Sequence, residues 1–124
     1  MIYGFVSSTI EAKIRLAIGR TDNQKQLIEA VIDTGYTGFL SLPSETIGDL
    51  GLLWKGVDRA TLGDGSETVF EVYEATIIWD GNYRIIPVNK ADTDPLVGMG
   101  LLYGFDLYIQ TKIGGLVKIK ASEE

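Results

Sequence analysis

Apolar and polar residues alternate along most of the chain. A run opening at Phe5 to Thr9 continues through Ile10, Ala12, Ile14, Leu16 and Ile18, with Glu11, Lys13 and Arg15 on the opposite parity. A period of two predicts a half-buried strand. Gly19 to Lys25 (GRTDNQK) is a polar turn, and Gln26 to Ile32 predicts a second strand. The pair forms a hairpin that feeds directly into Asp33. Pro43 to Leu50 (PSETIGDL) predicts a short helix, with Pro43 suited to the first turn and Gly51 to the stop. Residues 59–79 alternate again on either side of Gly63-Asp64-Gly65-Ser66, the tip of another hairpin. Asp80-Gly81-Asn82 is a tight turn and Tyr83 to Val88 a strand. Leu96-Val97-Gly98 is a short apolar run, and Met99 to Gly104 predicts a brief helix. Leu107 to Gln110 and Leu116 to Ile119, separated by Gly114-Gly115, close the chain as strands. The pattern is mostly β with one or two short helices, without repeats, low-complexity tracts or a linker.

At 124 residues, 45% hydrophobic and 23% charged, this pattern fits one globular domain over residues 1–124. The net charge of −6, with lysines and arginines scattered singly as at Lys13, Arg15, Arg20, Lys25 and Arg84, argues against nucleic acid or an anionic membrane as partner. No apolar stretch approaches the ~18–20 residues that cross a bilayer. MIYGFVSSTIEAK lacks the positive start of a signal peptide, so a cytoplasmic location is expected. Cysteine and histidine are both absent. Thiolate chemistry, imidazole metal ligands and Ser-His or Cys-His nucleophiles are thereby excluded. Any catalysis falls to carboxylates, lysines, tyrosines or hydroxyls.

One carboxylate stands out. In VIDTGYTGFLSLP (residues 31–43), Asp33 follows the apolar run Ala30-Val31-Ile32 and precedes a glycine-punctuated turn. An aspartate at a strand end can be presented at the floor of a cleft, and Gly35 lets the backbone turn tightly and come close to a ligand. The plain alternative is an ordinary turn in which Asp33 hydrogen-bonds its own backbone. Three other features draw weaker readings. GMGLLYG from Gly98 lacks the βαβ context of a dinucleotide loop. Asp92-Thr93-Asp94 before Pro95 has no EF-hand spacing and suits a solvated turn better than a cation site. Trp54, Trp79, Tyr73, Tyr83, Tyr103 and Tyr108 suit core or interface positions better than ligand platforms.

The stretch around Asp33 resembles the active-site loop of retropepsin-like aspartic proteases of the small single-domain prokaryotic type. Val31-Ile32, Asp33-Thr34-Gly35, variable Tyr36, Thr37 and apolar Phe39-Leu40 follow the family order. Leu42-Pro43 and the helix to Leu52 match the segment after that loop. Leu62 to Ser66 falls where the family carries its flap, and Leu96 to Leu102 followed by Phe105-Asp106-Leu107 is similar to its second apolar-glycine element. The resemblance spans about Phe5 to Ile119. It implies a closed β-barrel of the acid-protease fold with a single Asp-Thr-Gly per chain, completed as a homodimer whose two Asp33 carboxylates meet across a two-fold axis. Two carboxylates about 3 Å apart share one proton, so one activates water while the other protonates the scissile carbonyl. Asp33, Thr34 and Gly35 are the implied catalytic residues. Tyr36, Thr37, Gly63, Asp64, Gly65, Ser66 and Gly98 are the implied contacts to a peptide or protein substrate. No metal and no cofactor is implied. Tyr36 stands where viral relatives usually carry alanine, and Met99-Gly100 where they carry an arginine clamp. The acidic tip, Asp64 with Glu67 nearby, predicts weak affinity for acidic peptides. The rival reading is a non-catalytic dimeric binding or scaffold module on the same fold.

Overall fold

A computed structural model of the chain describes residues 1–123. Its elements are β1 (Ile2–Val6), β2 (Ala12–Gly19), β3 (Lys25–Ile32), β4 (Leu40–Leu42), α1 (Ser44–Leu50), β5 (Leu53–Thr61), β6 (Glu67–Trp79), β7 (Asn82–Lys90), β8 (Leu96–Val97), α2 (Met99–Leu102), β9 (Phe105–Ile109) and β10 (Leu116–Ala121). The mostly β class is as the alternation predicts. Several boundaries differ from the expected ones, and three of them have a clear local reason.

The long first run is two strands. Ile10 adopts a φ of +62° and is 71% exposed, inside a turn closed by Ser7 N–H to the Glu11 carbonyl at 2.9 Å. Ser7, Thr9 and Glu11 side chains hydrogen-bond one another there, which stabilises the turn against continued extension. Ile14, Leu16 and Ile18 remain buried on one face, as their parity requires. The strand before the Gly63–Ser66 tip starts at Leu53 rather than at 59. A bulge at Trp54/Gly56, with Gly56 at a φ of +140°, breaks the alternation that would have revealed it. Pro43 caps α1 from outside instead of occupying its first turn, and Gly51 ends the helix in the left-handed region.

The strands pair in the order β5-β6-β7-β4-β8-β3-β2-β1-β10-β9. Ile18 and Gly19 of β2 also pair with Ile77 and Thr76 of β6. That contact returns the sheet on itself as a ring: β6, β7, β4, β8, β3, β2 and back to β6. The ring encloses apolar side chains from every quarter, among them Ile14, Ile18, Leu40, Leu42, Ile77, Ile86, Val88 and Val97, all essentially fully buried. Trp79 is buried edge-on against Phe105, centroids 5.7 Å apart, whereas Trp54 on the outer strand β5 is exposed. Tyr73 packs against the core; Tyr83, Tyr103 and Tyr108 are exposed.

One piece of topology positions the site. β8 lies between β3, to which it is parallel (Ile32 opposite Val97), and β4, to which it is antiparallel (Leu40 opposite Val97). The chain leaving β3 must therefore arc past the end of β8 before it descends as β4. Asp33 to Phe39 form that arc.

Candidate active site

Asp33 extends β3 by one hydrogen bond, donating its N–H to the Val97 carbonyl at 2.9 Å. The arc then folds on the side chain itself: Gly35 N–H donates to Asp33 Oδ1 at 2.9 Å and Tyr36 N–H to the Asp33 carbonyl at 3.2 Å. The turn reading of Asp33 is thus correct for one oxygen only. The side chain is half-buried at the mouth of the arc, and Oδ2 has no partner among the described residues. Thr34 is exposed beside it.

The arc is clamped to the chain after β8. Gly98 N–H donates to the Phe39 carbonyl (3.0 Å), Met99 N–H to Tyr36 (2.7 Å) and Gly100 N–H to Gly38 (3.0 Å). Such close backbone approach requires glycine. A Cβ on Gly98 would lie 2.2 Å from the Gly38 oxygen and 2.6 Å from Tyr36 Cδ2, and one on Gly100 would lie 2.9 Å from the Gly38 oxygen. The amides of residues 98–100 are consumed by these carbonyls, so they are not free to cradle a phosphate as a dinucleotide loop would.

Tyr36 lies against Gly98, and its hydroxyl accepts a 2.7 Å hydrogen bond from Asn89 Nδ2 at the end of β7. Burial disfavours the charged phenolate and pushes its pKa up to about 12, while the Asn89 hydrogen bond acts in the opposite direction. Tyr36, Thr37 and Phe39 of the arc and Asp58, Arg59, Ala60, Leu62, Phe70 and Val72 of the β5–β6 hairpin line a cleft of about 690 Å³, together with Pro87 and Asn89 of β7.

The raised pKa has a measurable consequence. Below the unfolded value of 10.0 both states are protonated; above it the unfolded phenol ionises while the folded one holds its proton until about 12. The folded state binds more protons in that window, so stability falls from about pH 10 to 12. The Tyr36→Phe variant, compared with the wild type by denaturant unfolding across this range, should lose this component of the decline. Identical pH dependence of the two proteins would contradict it.

The residues singled out in the sequence are only partly brought together. Asp33, Gly35, Tyr36, Thr37 and Gly98 cluster through the arc and its clamp. Gly63, Asp64, Gly65 and Ser66 stand apart at the exposed hairpin end, and within one chain Leu62 of that loop lines the cleft while they do not. Asp64 accepts from the Ser66 hydroxyl (2.6 Å) and the Ser66 N–H (2.9 Å), which hold its carboxyl below the usual carboxylate range. Sequence reasoning did not single out Asn89, Gly38, Asp58 or Phe70. The alternation of β6 places Phe70 and Val72 on one face, a signal that could have found them. Asp92 and Asp94 lie in an exposed loop, and among the described residues no group of three or more acidic, histidine or cysteine side chains gathers as a metal site. Among the described residues no helix is long and apolar enough to cross a membrane.

No protein-family model and no curated protein sequence matches the chain. Its structure is similar to the crystal structure of a retropepsin-like aspartic protease from Rickettsia conorii. The TM-score is 0.61 over 98% of this chain and 91% of that one, at 19% sequence identity. The likeness is one of fold: the chain folds as a retropepsin-like aspartic protease does.

Proposed function

We propose that residues 1–124 form one half of an aspartic endopeptidase, completed when a second copy brings its own Asp33 to the first. Each chain carries Asp-Thr-Gly once. The observation that carries the reading is the state of Asp33. It is fixed by its backbone bond to Val97 and by Gly35 on one oxygen, and among the described residues its other oxygen has no partner, at the mouth of a cleft-bordering arc. In the pair, the ionised carboxylate takes a proton from a water lying between the two. The resulting hydroxide oxygen bonds to the scissile carbonyl carbon while the protonated partner gives its proton to the carbonyl oxygen. Collapse of the tetrahedral diol, with proton transfer to the amide nitrogen, breaks the C–N bond and frees the two peptide ends. Thr34 and Gly35 shape the meeting of the loops, and the β5–β6 hairpin covers the bound strand of substrate. No metal enters these steps.

Sedimentation should give a dimer at micromolar concentration, and a denatured protein pool should be cleaved faster at acidic to mildly acidic pH than at neutral pH, because one carboxyl must keep its proton. A strict monomer at high concentration would leave Asp33 without its partner. A folded dimer that cleaves nothing at any pH would favour a binding module, and a rate rising steadily to pH 9 would require other chemistry.

A further inference from the structure

The cleft between the arc and the hairpin combines an apolar lining with a polar pair, Tyr36 and Asn89. Phe39, Leu62, Phe70, Val72 and Pro87 supply its apolar part, Asp58 and Arg59 line it from the hairpin, and Tyr36 and Asn89 meet within it. Their mutual hydrogen bond uses the Asn89 Nδ2 donor and one lone pair of the Tyr36 oxygen. Among the described residues the Tyr36 O–H proton and Asn89 Oδ1 have no other partner. Turning the Asn89 amide over exchanges the roles without changing the result: the pair still presents at least one donor and one acceptor side by side. The pair therefore offers two adjacent, opposite hydrogen-bonding valences beside the apolar side chains of the cleft.

We propose that the Tyr36–Asn89 pair makes this cleft a subsite selective for a carboxamide side chain, glutamine or asparagine, in an extended peptide. The inference rests on the reading of the cleft as the peptide-binding part of a protease site, and it adds the substrate class. A carboxamide carries a carbonyl and an N–H on one carbon, so its oxygen accepts from Tyr36 O–H while its nitrogen donates to Asn89 Oδ1. Its methylenes lie along the apolar side chains. A carboxylate brings acceptors without a donor and leaves Asn89 Oδ1 facing like charge. An ammonium brings donors without an acceptor for the Tyr36 proton, and an apolar side chain strips water from both groups and pairs neither. Sites built to hydrogen-bond a ligand discriminate strongly against the analogue that lacks the group, whereas apolar slots discriminate weakly. Burial pushes the Tyr36 pKa up to about 12, so its hydroxyl keeps its proton at acidic and neutral pH. The donor is thus held ready over that range.

The test is a position-scanned set of octapeptides, uncharged apart from the scanned residue, carrying glutamine, methionine, glutamate, lysine or serine at each position in turn. Binding is measured by calorimetry to the Asp33→Asn variant, which cannot hydrolyse them, and the same set is scored as kcat/KM with the wild type. At the positions that reach the two symmetry-related clefts of the dimer, glutamine should bind about tenfold tighter than methionine, with glutamate and lysine weaker still. Adding Tyr36→Phe should reduce the glutamine-to-methionine ratio to below about twofold, with thermal melting confirming that the variant is folded. Equal affinities at every position, a preference for glutamate, lysine or serine, or a glutamine preference that survives Tyr36→Phe would overturn the inference. Cleavage without the preference sinks this inference alone. The preference without cleavage sinks the protease reading alone.

Discussion

Asp33→Asn should abolish peptide hydrolysis, lowering kcat by at least about a thousandfold, while the protein stays folded and dimeric. Asparagine keeps an oxygen that can accept the 2.9 Å bond from Gly35 N–H. The clamp between the arc and residues 97–100 is made of backbone groups and does not involve the carboxylate. Stability should therefore change by less than about 1 kcal/mol. Chemistry is a different matter, because an amide can neither take a proton from water nor share one with a facing carboxylate. Steady-state assay beside thermal melting separates the two effects. Residual hydrolysis within tenfold of the wild type would remove Asp33 from the mechanism.

Gly98→Ala should be the most damaging small substitution near the site. Gly98 has a φ of −100° and a ψ of 175°, ordinary extended values, so the cost is one of space and not of backbone conformation. The added methyl would lie 2.2 Å from the Gly38 carbonyl oxygen, 2.6 Å from Tyr36 Cδ2 and 2.8 Å from the Tyr36 carbonyl oxygen. Relief requires residues 36–38 to move away from the end of β8, which stretches the Gly98-to-Phe39 and Met99-to-Tyr36 hydrogen bonds and uncouples the arc that holds Asp33. A loss of about 3 kcal/mol, or roughly 10 °C in Tm, is expected. Gly63→Ala is the control: a Cβ there meets nothing within 4 Å, so a change within about 0.5 kcal/mol is expected. Equal melting temperatures for the two variants would contradict the clamp.

The sequence made the site more legible than its surroundings. Asp33 was visible because an apolar run ends on it and turn residues follow, a purely local signal. Gly98 was visible through resemblance, and the steric reason for it appears only when the arc at 36–38 is brought against it. The run from Phe5 to Ile18 misled because Ile10 keeps the right parity for a strand while sitting in a hydroxyl-stabilised turn with a positive φ. The start of β5 was hidden by the bulge at Gly56, which shifts the alternation by one residue. Asn89 was illegible for a different reason. It meets Tyr36 because β7 pairs in parallel with β4, setting Asn89 opposite Ser41. Nothing local marks a polar residue at a strand end as the partner of a tyrosine far away in sequence. Likewise the cleft exists only once the β5–β6 hairpin faces the arc, a long-range arrangement that alternation alone does not encode.

The central claim is that each chain supplies one of two aspartates to a shared site. Mixing wild type and Asp33→Asn protein at fixed total concentration, with time for subunits to exchange, tests it most directly. If each active site needs an Asp33 from both chains, activity follows the square of the wild-type fraction, about one quarter of full activity at an equal mixture. A linear fall, to about one half at an equal mixture, would mean that each chain works alone and would contradict the account.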